Sequence, residues 1–337
     1  MAVTIFFYKQ DGTFEVSNKL SSLSKNQADF YWVNVQIEDT AELPEVAKFF
    51  KLHELSVEDC MTPLHFPKIE DHGAYIFAIF RGLKSKLDIW DDLVKYQDIT
   101  RETEEENLTH KLAIYYSKNF IVSVQTIPVP WVEALIRQSK SQDKFTSQFT
   151  PPLYLFYRLV DVLIDRFLRG LSEFDETIDT LEDLAIEDTE EFQISYILQI
   201  KRKLTYLRQL SKDQELVTQK IEYTDDITSD KAMKKYFRDI RDHAADISKT
   251  IEKQVSDVLS IRDAYLAMVN VRLGDIMRIL AIITTIAVPL NVIVGLYGMN
   301  FDVMPLLHNE LGFWIVSISM VAICIAMLVF FKKKRWL

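Results

Sequence analysis

The chain has 337 residues, a net charge of −10 and 48% hydrophobic residues. That length exceeds what one soluble core ordinarily takes, so a soluble domain joined to a membrane unit fits better than a single globule. The acidic excess offers no basic surface to nucleic acid and suits cations as partners. Cys60 and Cys324 are the two cysteines; one lies in a soluble stretch and one inside an apolar run, which argues against a disulfide and fits a reducing cytoplasm. The first residues carry neither a charged leader nor a cleavage site, so no signal peptide is expected.

Residues 1–150 mix strand and helix signals and are expected to form an α/β domain. Residues 4–9 and 32–37 read as strands, and 41–52 follow a helical pattern. Residues 74–83, rich in aromatic and branched side chains, read as a buried strand. Residues 111–116 and 120–126 read as a hairpin across Ser117-Lys118-Asn119. The run Glu102, Glu104, Glu105 and Glu106 reads as a solvated loop. Pro128, Pro130, Pro151 and Pro152 mark the way out of this domain.

From Leu153 the pattern turns helical. Residues 153–185 carry apolar positions at steps of three and four, with Glu173, Asp175, Glu176, Asp179, Glu182 and Asp183 along the far half. Asp188-Thr189-Glu190-Glu191 reads as an N-cap with a reciprocal Glu, opening a second helix toward Val217. The two make an acidic antiparallel hairpin over 151–226, whose charged face is read as solvated. A third helix, in 227–300, carries a stripe from near Ser229 through Phe237, Ile240, Ala244, Ile247, Ile251, Val255 and Val258. It continues through Leu266, Val269, Leu273, Met277, Leu280, Thr284, Val288, Asn291 and Gly295, with Arg262 in the gap after Val258. One uninterrupted helix of about 100 Å would carry it. A stripe that turns to Thr, Asn and Gly inside an apolar run faces something other than lipid, and an axis shared with identical helices is the simple answer. For its first half, packing within one subunit serves equally.

Residues 279–301 contain no charged side chain between Arg278 and Asp302; as a helix this run of about 23 residues reaches roughly 35 Å, enough to cross a bilayer core. A second uncharged run, 311–331, ends at Lys332-Lys333-Lys334-Arg335. Buried core helices are the alternative, but such helices rarely stay apolar all round for so long. The first span carries Thr284, Thr285, Pro289, Asn291 and Gly295, and Pro289 frees the carbonyl of Thr285, a defect that needs protein or water beside it. The second, in 312–337, has only Ser317, Ser319 and Cys324 as mildly polar members and reads as the lipid-facing partner. The loop 301–311 has no Lys or Arg, whereas Arg272, Arg278 and the terminal basic cluster flank the other ends. By that asymmetry both chain ends are expected in the cytoplasm and the loop outside.

Tyr297-Gly298-Met299-Asn300 closing the first of two terminal spans, a short loop with Met304-Pro305 and a Lys-rich tail resemble the CorA magnesium channels. The resemblance implies an α/β cytoplasmic domain, long helices and a two-helix membrane hairpin, assembled as a homopentamer in the inner or plasma membrane. It implies passive Mg2+ uptake gated by intracellular Mg2+ bound between subunits. Gly298, Met299 and Asn300 would form the selectivity filter. Mg2+ gives up its water shell reluctantly, and a ring of Asn carbonyls can hydrogen-bond bound water without a carboxylate trap; a helix C-cap is the other role open to Asn300. Met277 and Leu280 would form an apolar constriction able to gate by dewetting, with Thr284, Val288, Asn291 and Gly295 lining the path. Gly274 departs from the family's Asn at the inner mouth, and Leu306 from its Glu after Met-Pro.

Glu58, Asp59, Asp161 and Asp239 would each pass for surface acids; the resemblance implies that they hold regulatory Mg2+ between neighbours. Asp161 and Asp165, four apart on one helix, repel unless a cation lies between them. The six histidines are scattered, and HExxH, CxxC and GxxxxGK[ST] do not occur, so neither an enzyme nor an ATP-driven pump is expected. Two alternatives stay open: a Co2+, Ni2+ or Zn2+ transporter of the same architecture, and a membrane-anchored coiled-coil sensor or scaffold that moves nothing. Met299 favours Mg2+, since the zinc-transporting relatives tend to carry another residue there.

Overall fold

The computed structural model describes residues 3–9, 14–23, 28–37, 42–84, 108–126, 129–140, 151–187, 192–224, 227, 229–301, 304–306, 309 and 311–336. The acidic run at 102–106, the cluster at 188–191, Asp302 and Glu310 lie outside these residues. The chain divides into two compact units, Met1–Arg262 and Asp263–Leu337.

The first unit is built on a seven-stranded sheet of β1 Val3–Tyr8, β2 Phe14–Ser17, β3 Phe30–Gln36, β4 Lys68–Asp71, β5 Ile76–Leu83, β6 Thr109–Tyr116 and β7 Phe120–Gln125, in the order β2-β1-β3-β7-β6-β5-β4. Only β3 and β7 run parallel; the other neighbours are antiparallel, and β6–β7 is the expected hairpin. Every residue of β5 and β6 is buried; the apolar stretches 76–80 and 112–116 carry their strand signal, while Arg81, Thr109, His110 and Lys111 are polar residues buried with them. One sheet face presents Val33, Val35, Phe77, Ile79, Ala113, Tyr115, Val122 and Val124 to Leu43 and Val46 of α1 (Glu42–Phe50) and to Cys60 of α2 (Glu54–Met61). α1 stops before the expected Leu52 because Lys51 turns left-handed at φ 55 and the Leu52 amide donates back to the Ala47 carbonyl. That is a Schellman closure with Lys where Gly is usual.

After β7 comes α3 (Pro130–Lys140), and then α4 (Pro151–Glu187) covers the second sheet face, with Phe156 stacked on Tyr116 at 5.0 Å. A Cβ at Gly170 would come within 2.8 Å of Leu83 Cδ1, so glycine lets α4 lie close on the end of β5. Pro130, Pro151 and Pro152, read as marking the way out of the α/β domain, sit in the first turns of α3 and α4, where a missing N–H costs no helical bond; Pro128 lies outside the described residues. α5 (Ile194–Glu222) starts later than the expected N-cap at Asp188: Phe192 is buried, and Gln193 caps in an extended conformation. The cluster at 188–191, read as its cap, lies outside the described residues.

α6 runs unbroken from Lys231 to Tyr297. Tyr157 meets Tyr236 at 5.0 Å, and Gln254 Nε2 donates to the Leu171 carbonyl and to Asp175 Oδ1, both at 2.9 Å, so α4 and α6 run parallel. Arg241 pairs with Glu222, Ser248 with Ser211 and Lys212 with Glu252, so α5 runs antiparallel to both. In the second unit, α6 ends and α7 spans Gly312–Lys333. These two helices are long and apolar enough to cross a membrane, with 6% and 0% of their most apolar windows buried, which is not how a soluble core helix sits.

Candidate transport path and cation sites

Within Asp263–Leu337 the buried hydrophobic side chains among the described residues are Ile282 and Phe331. Around Ile282, α6 has half-covered Ile286, Pro289, Leu290 and Ile293; on α7 the covered seam is Gly312, Val316, Met320, Ile323, Met327 and Phe331. Steps of three and four make each a single helical stripe. Met277, Leu280, Thr284, Val288, Asn291 and Gly295 are all exposed, on the α6 face about 180° round from Ile282 at 100° per residue. The sequence stripe and the covered seam are thus opposite faces of one helix. Thr284 and Thr285 hydroxyls donate to the Leu280 and Ala281 carbonyls at 2.7 Å, and Gly274 has open space at its Cβ position.

α6 closes with the Gly298 amide on the Val294 carbonyl at 2.8 Å and the Met299 amide on the Leu296 carbonyl at 3.3 Å. Asn300 lies three residues past the last helical residue, exposed, and without positive φ; a left-handed cap is not what this residue provides. Leu306 does take φ 71, and a Cβ at Gly312 would lie 2.1 Å from the Leu306 carbonyl oxygen. Glycine at the start of α7 therefore permits the short turn between the spans.

The four acids fall into two groups. On α2, Glu58 is exposed and Asp59 half-buried. Asp59 Oδ2 accepts from Lys68 Nζ, and Oδ1 lies 3.2 Å from His65 Nε2. Lys68 also donates to Glu70 Oε1 at 2.8 Å and stands 5.4 Å over the Phe77 ring. Burial alone would lower the Lys68 ammonium, but its two carboxylate bonds hold it above the ordinary lysine value, and the bond from Lys68 holds Glu70 below the usual carboxylate range. Beneath them Lys111 Nζ donates to the carbonyls of Asp59 at 2.9 Å, Cys60 at 2.6 Å and Thr62. Arg81 Nη1 reaches the Pro63 carbonyl at 2.8 Å. Two buried cations, cross-strand neighbours on β5 and β6, thereby hold the orphan carbonyls at the end of α2. Burial lowers Lys111 to about 8 and pushes the Cys60 thiol up to about 11.

The second group lies between α4 and α6. Asp161 is buried and pairs with Arg158 Nη1 at 2.9 Å; burial first, then Asp165, holds its carboxyl above the ordinary aspartate value. His243 places Nδ1 3.4 Å from Asp165 Oδ1 and Nε2 4.0 Å from Asp239 Oδ1. Among the described residues, no three His, Cys, Asp or Glu are placed to hold a metal ion. The donors are hard carboxylate oxygens of the kind Mg2+ takes together with water, but one chain brings them together only two at a time. His243 was legible as the i,i+4 neighbour of Asp239. Lys68 and His65 gave no such signal, because they reach Asp59 only through the turn from α2 into β4.

A profile of the family described as "CorA-like Mg2+ transporter protein" matches residues 27–333. The cobalt/magnesium transport protein CorA of Thermotoga maritima is 30% identical over 91% of this chain and 83% of its own. That of Methanocaldococcus jannaschii is 24% identical over 99% of this chain and 100% of its own. The solved CorA magnesium transporter from M. jannaschii superposes with a TM-score of 0.80 at 19% identity, over 100% of this chain and 99% of that one. Full-length CmaX gives 0.71 at 16% identity, over 100% and 98%. With the α/β unit, the long helix and the terminal span all matched, the chain belongs to the CorA-like Mg2+ transporter family.

Proposed function

We propose that the chain is a passive Mg2+ channel of the inner or plasma membrane, working as a homopentamer with both termini in the cytoplasm. The observation that carries this is the face of α6. Thr284, Asn291 and Gly295 stand exposed inside an apolar span, opposite the covered stripe around Ile282. A polar stripe at that depth needs protein or water beside it, and copies of the same helix around a pore supply both. Gly298, Met299 and Asn300 form the entrance that holds hydrated Mg2+, and Met277 and Leu280 the apolar constriction. A divalent ion gains roughly 4–5 kcal/mol per 100 mV of inside-negative potential, so inward flux needs no coupled energy source.

Glu58, Asp59, Asp161 and Asp239 hold the regulatory cation between subunits, which fits their division into two groups that one chain leaves apart. Bound Mg2+ supplies charge cancellation there; without it the carboxylates repel, and the subunit boundary loosens. Co2+ is a second permeant ion, favoured by the cobalt/magnesium names of two relatives.

The test is Mg2+ flux into proteoliposomes. Wild type conducts, and Asn300→Ala loses at least about tenfold while the oligomer still assembles. Wild-type flux through Asn300→Ala removes Asn300 from the filter, and no flux through the wild type leaves the scaffold reading. A Cys placed at Asn309 reacts with an impermeant thiol reagent outside intact cells; labelling only after lysis reverses the orientation.

A further inference from the structure

Asp59 is already engaged. Its Oδ2 carries the Lys68 ammonium and its Oδ1 faces His65 at 3.2 Å. Lys68 itself stands between two carboxylates, Asp59 on one side and Glu70 Oε1 at 2.8 Å on the other, above the ring of Phe77. Lys111 and Arg81 contribute two further positive charges from below, but they are fixed by backbone carbonyls and buried. Lys68 is only half-buried, and it has a second carboxylate to withdraw to.

We propose that Lys68 is a tethered competitor for the cation at Asp59, and that it sets the Mg2+ concentration at which the soluble unit responds. This rests on the reading of Asp59 as a cation-binding carboxylate. A divalent ion reaching Oδ2 must displace the ammonium toward Glu70 or tolerate it at contact distance, and either lowers affinity by like-charge repulsion. Apparent affinity is reduced by the fraction of time the carboxylate is taken, the same arithmetic as a binding-competent state that is only partly populated. Glu70 and the Phe77 ring give the displaced ammonium a place to go, so the exchange is between two paired states and leaves no bare charge.

The proposal inverts the usual expectation for an ion pair. Loss of a brace weakens a site, whereas loss of a competitor strengthens it. In the full-length protein in detergent, the Mg2+ concentration giving half-maximal protection from chymotrypsin is measured for wild type and variants. Lys68→Gln lowers that midpoint by about threefold or more, the size of a partly exposed ion pair. Lys68→Arg, which keeps the charge, stays within about twofold of wild type. Lys212→Gln removes an exposed lysine elsewhere and leaves the midpoint where it was. Asp59→Asn tests the underlying reading: it raises the midpoint, and an unchanged value there means that Asp59 binds no cation. If Asp59→Asn raises the midpoint while Lys68→Gln raises it too or leaves it alone, Lys68 is a brace and the proposal is wrong. Should Lys68→Gln be digested rapidly without Mg2+, as an unfolded chain would be, Glu70→Gln makes the same test from the other side. With its second anchor gone, Lys68 commits to Asp59 and the midpoint rises; an unchanged midpoint overturns the competitor.

Discussion

In Met1–Arg262 the large aromatic side chains Trp32, Phe77, Phe80, Phe156, Phe174 and Phe237 are fully buried, while in Asp263–Leu337 Phe313, Trp314 and Phe330 are 72%, 62% and 58% exposed. The residue types are the same; the solvent each unit is made for differs. The first unit finishes its core within one chain, between two helical layers and a sheet. The second leaves nearly all its apolar surface uncovered, and among its described residues only Ile282 and Phe331 are buried hydrophobics. Contacts within the chain therefore decide stability in the first unit, whereas the second leaves its apolar surface to whatever surrounds it.

The sharpest way to break that contrast is to truncate a large side chain in each. Phe77→Ala removes a fully buried ring from the sheet core and costs about 3–5 kcal/mol, a large fraction of the roughly 5–15 kcal/mol of an ordinary domain. Met277→Ala leaves the thermal midpoint of the soluble unit unchanged, since Met277 is 64% exposed, and changes Mg2+ flux. A melt that moves as far for Met277→Ala as for Phe77→Ala would mean that the two units share one core.

Within the first unit the buried polar groups should behave as core members too. Glu222 is buried and takes Arg241 Nη1 at 2.6 Å and Arg238 Nε at 3.4 Å. Glu222→Gln keeps the shape and removes the charge, and is expected to cost about 1.5–3 kcal/mol in denaturant unfolding, the size of charged hydrogen bonds that lose an ionised partner. A change indistinguishable from zero would class Glu222 with the solvated acids of α4 and α5.

His110 gives a smaller, pH-dependent effect. Burial, then the positive charges of Arg81, Lys84 and Arg166, lower its imidazole from the ordinary 6.5 to about 4. Above pH 6.5 it is neutral both folded and unfolded, so it costs nothing. As pH falls below 6.5 the unfolded chain takes the proton first, and stability is lost progressively down to about pH 4. At pH 5 the loss attributable to this group is about 2 kcal/mol. His110→Gln removes that part of the acid slope, so the difference between wild-type and variant stabilities should change between pH 7 and pH 5. A constant difference across that range would show that His110 does not titrate there.

What was legible in the sequence follows the same division. The spans announced themselves through uncharged length, and the stripe through its period, because both are local properties. β5 was legible from its apolar stretch 76–80, and β6 from 112–116 and the turn Ser117-Lys118-Asn119 that follows, although Arg81 and Lys111 are buried in the same strands. The misses are short or polar. β4 is only Lys68-Ile69-Glu70-Asp71, an edge strand with no apolar alternation, and α3 began at a proline that also reads as a break. The candidate site could be read only as single residues: Asn300 by its place after Tyr-Gly-Met, and the acids by resemblance. That Asp59 is occupied by Lys68 could not be read at all, since the contact exists only once β4 lies beside the end of α2.

The smallest expected effect sharpens the comparison inside a single helix pair. α5 and α6 are joined by two kinds of ion pair. Glu222 is buried against Arg241, whereas Lys212 Nζ meets Glu252 Oε1 at 2.9 Å with both side chains about half exposed, 51% and 53%. The Lys212 bond holds Glu252 below the usual carboxylate range. In water, though, each partner keeps most of its hydration, and holding two long side chains in one geometry costs rotamer freedom, so such pairs contribute little net stability. Glu252→Gln should leave both thermal and denaturant midpoints unchanged at physiological salt, while Glu222→Gln shifts them. If the two substitutions moved the midpoint equally, proximity and not burial would set the worth of an ion pair here. The Lys68 pair, lying between these two in exposure, would then have to count as a brace with a cost in stability of its own.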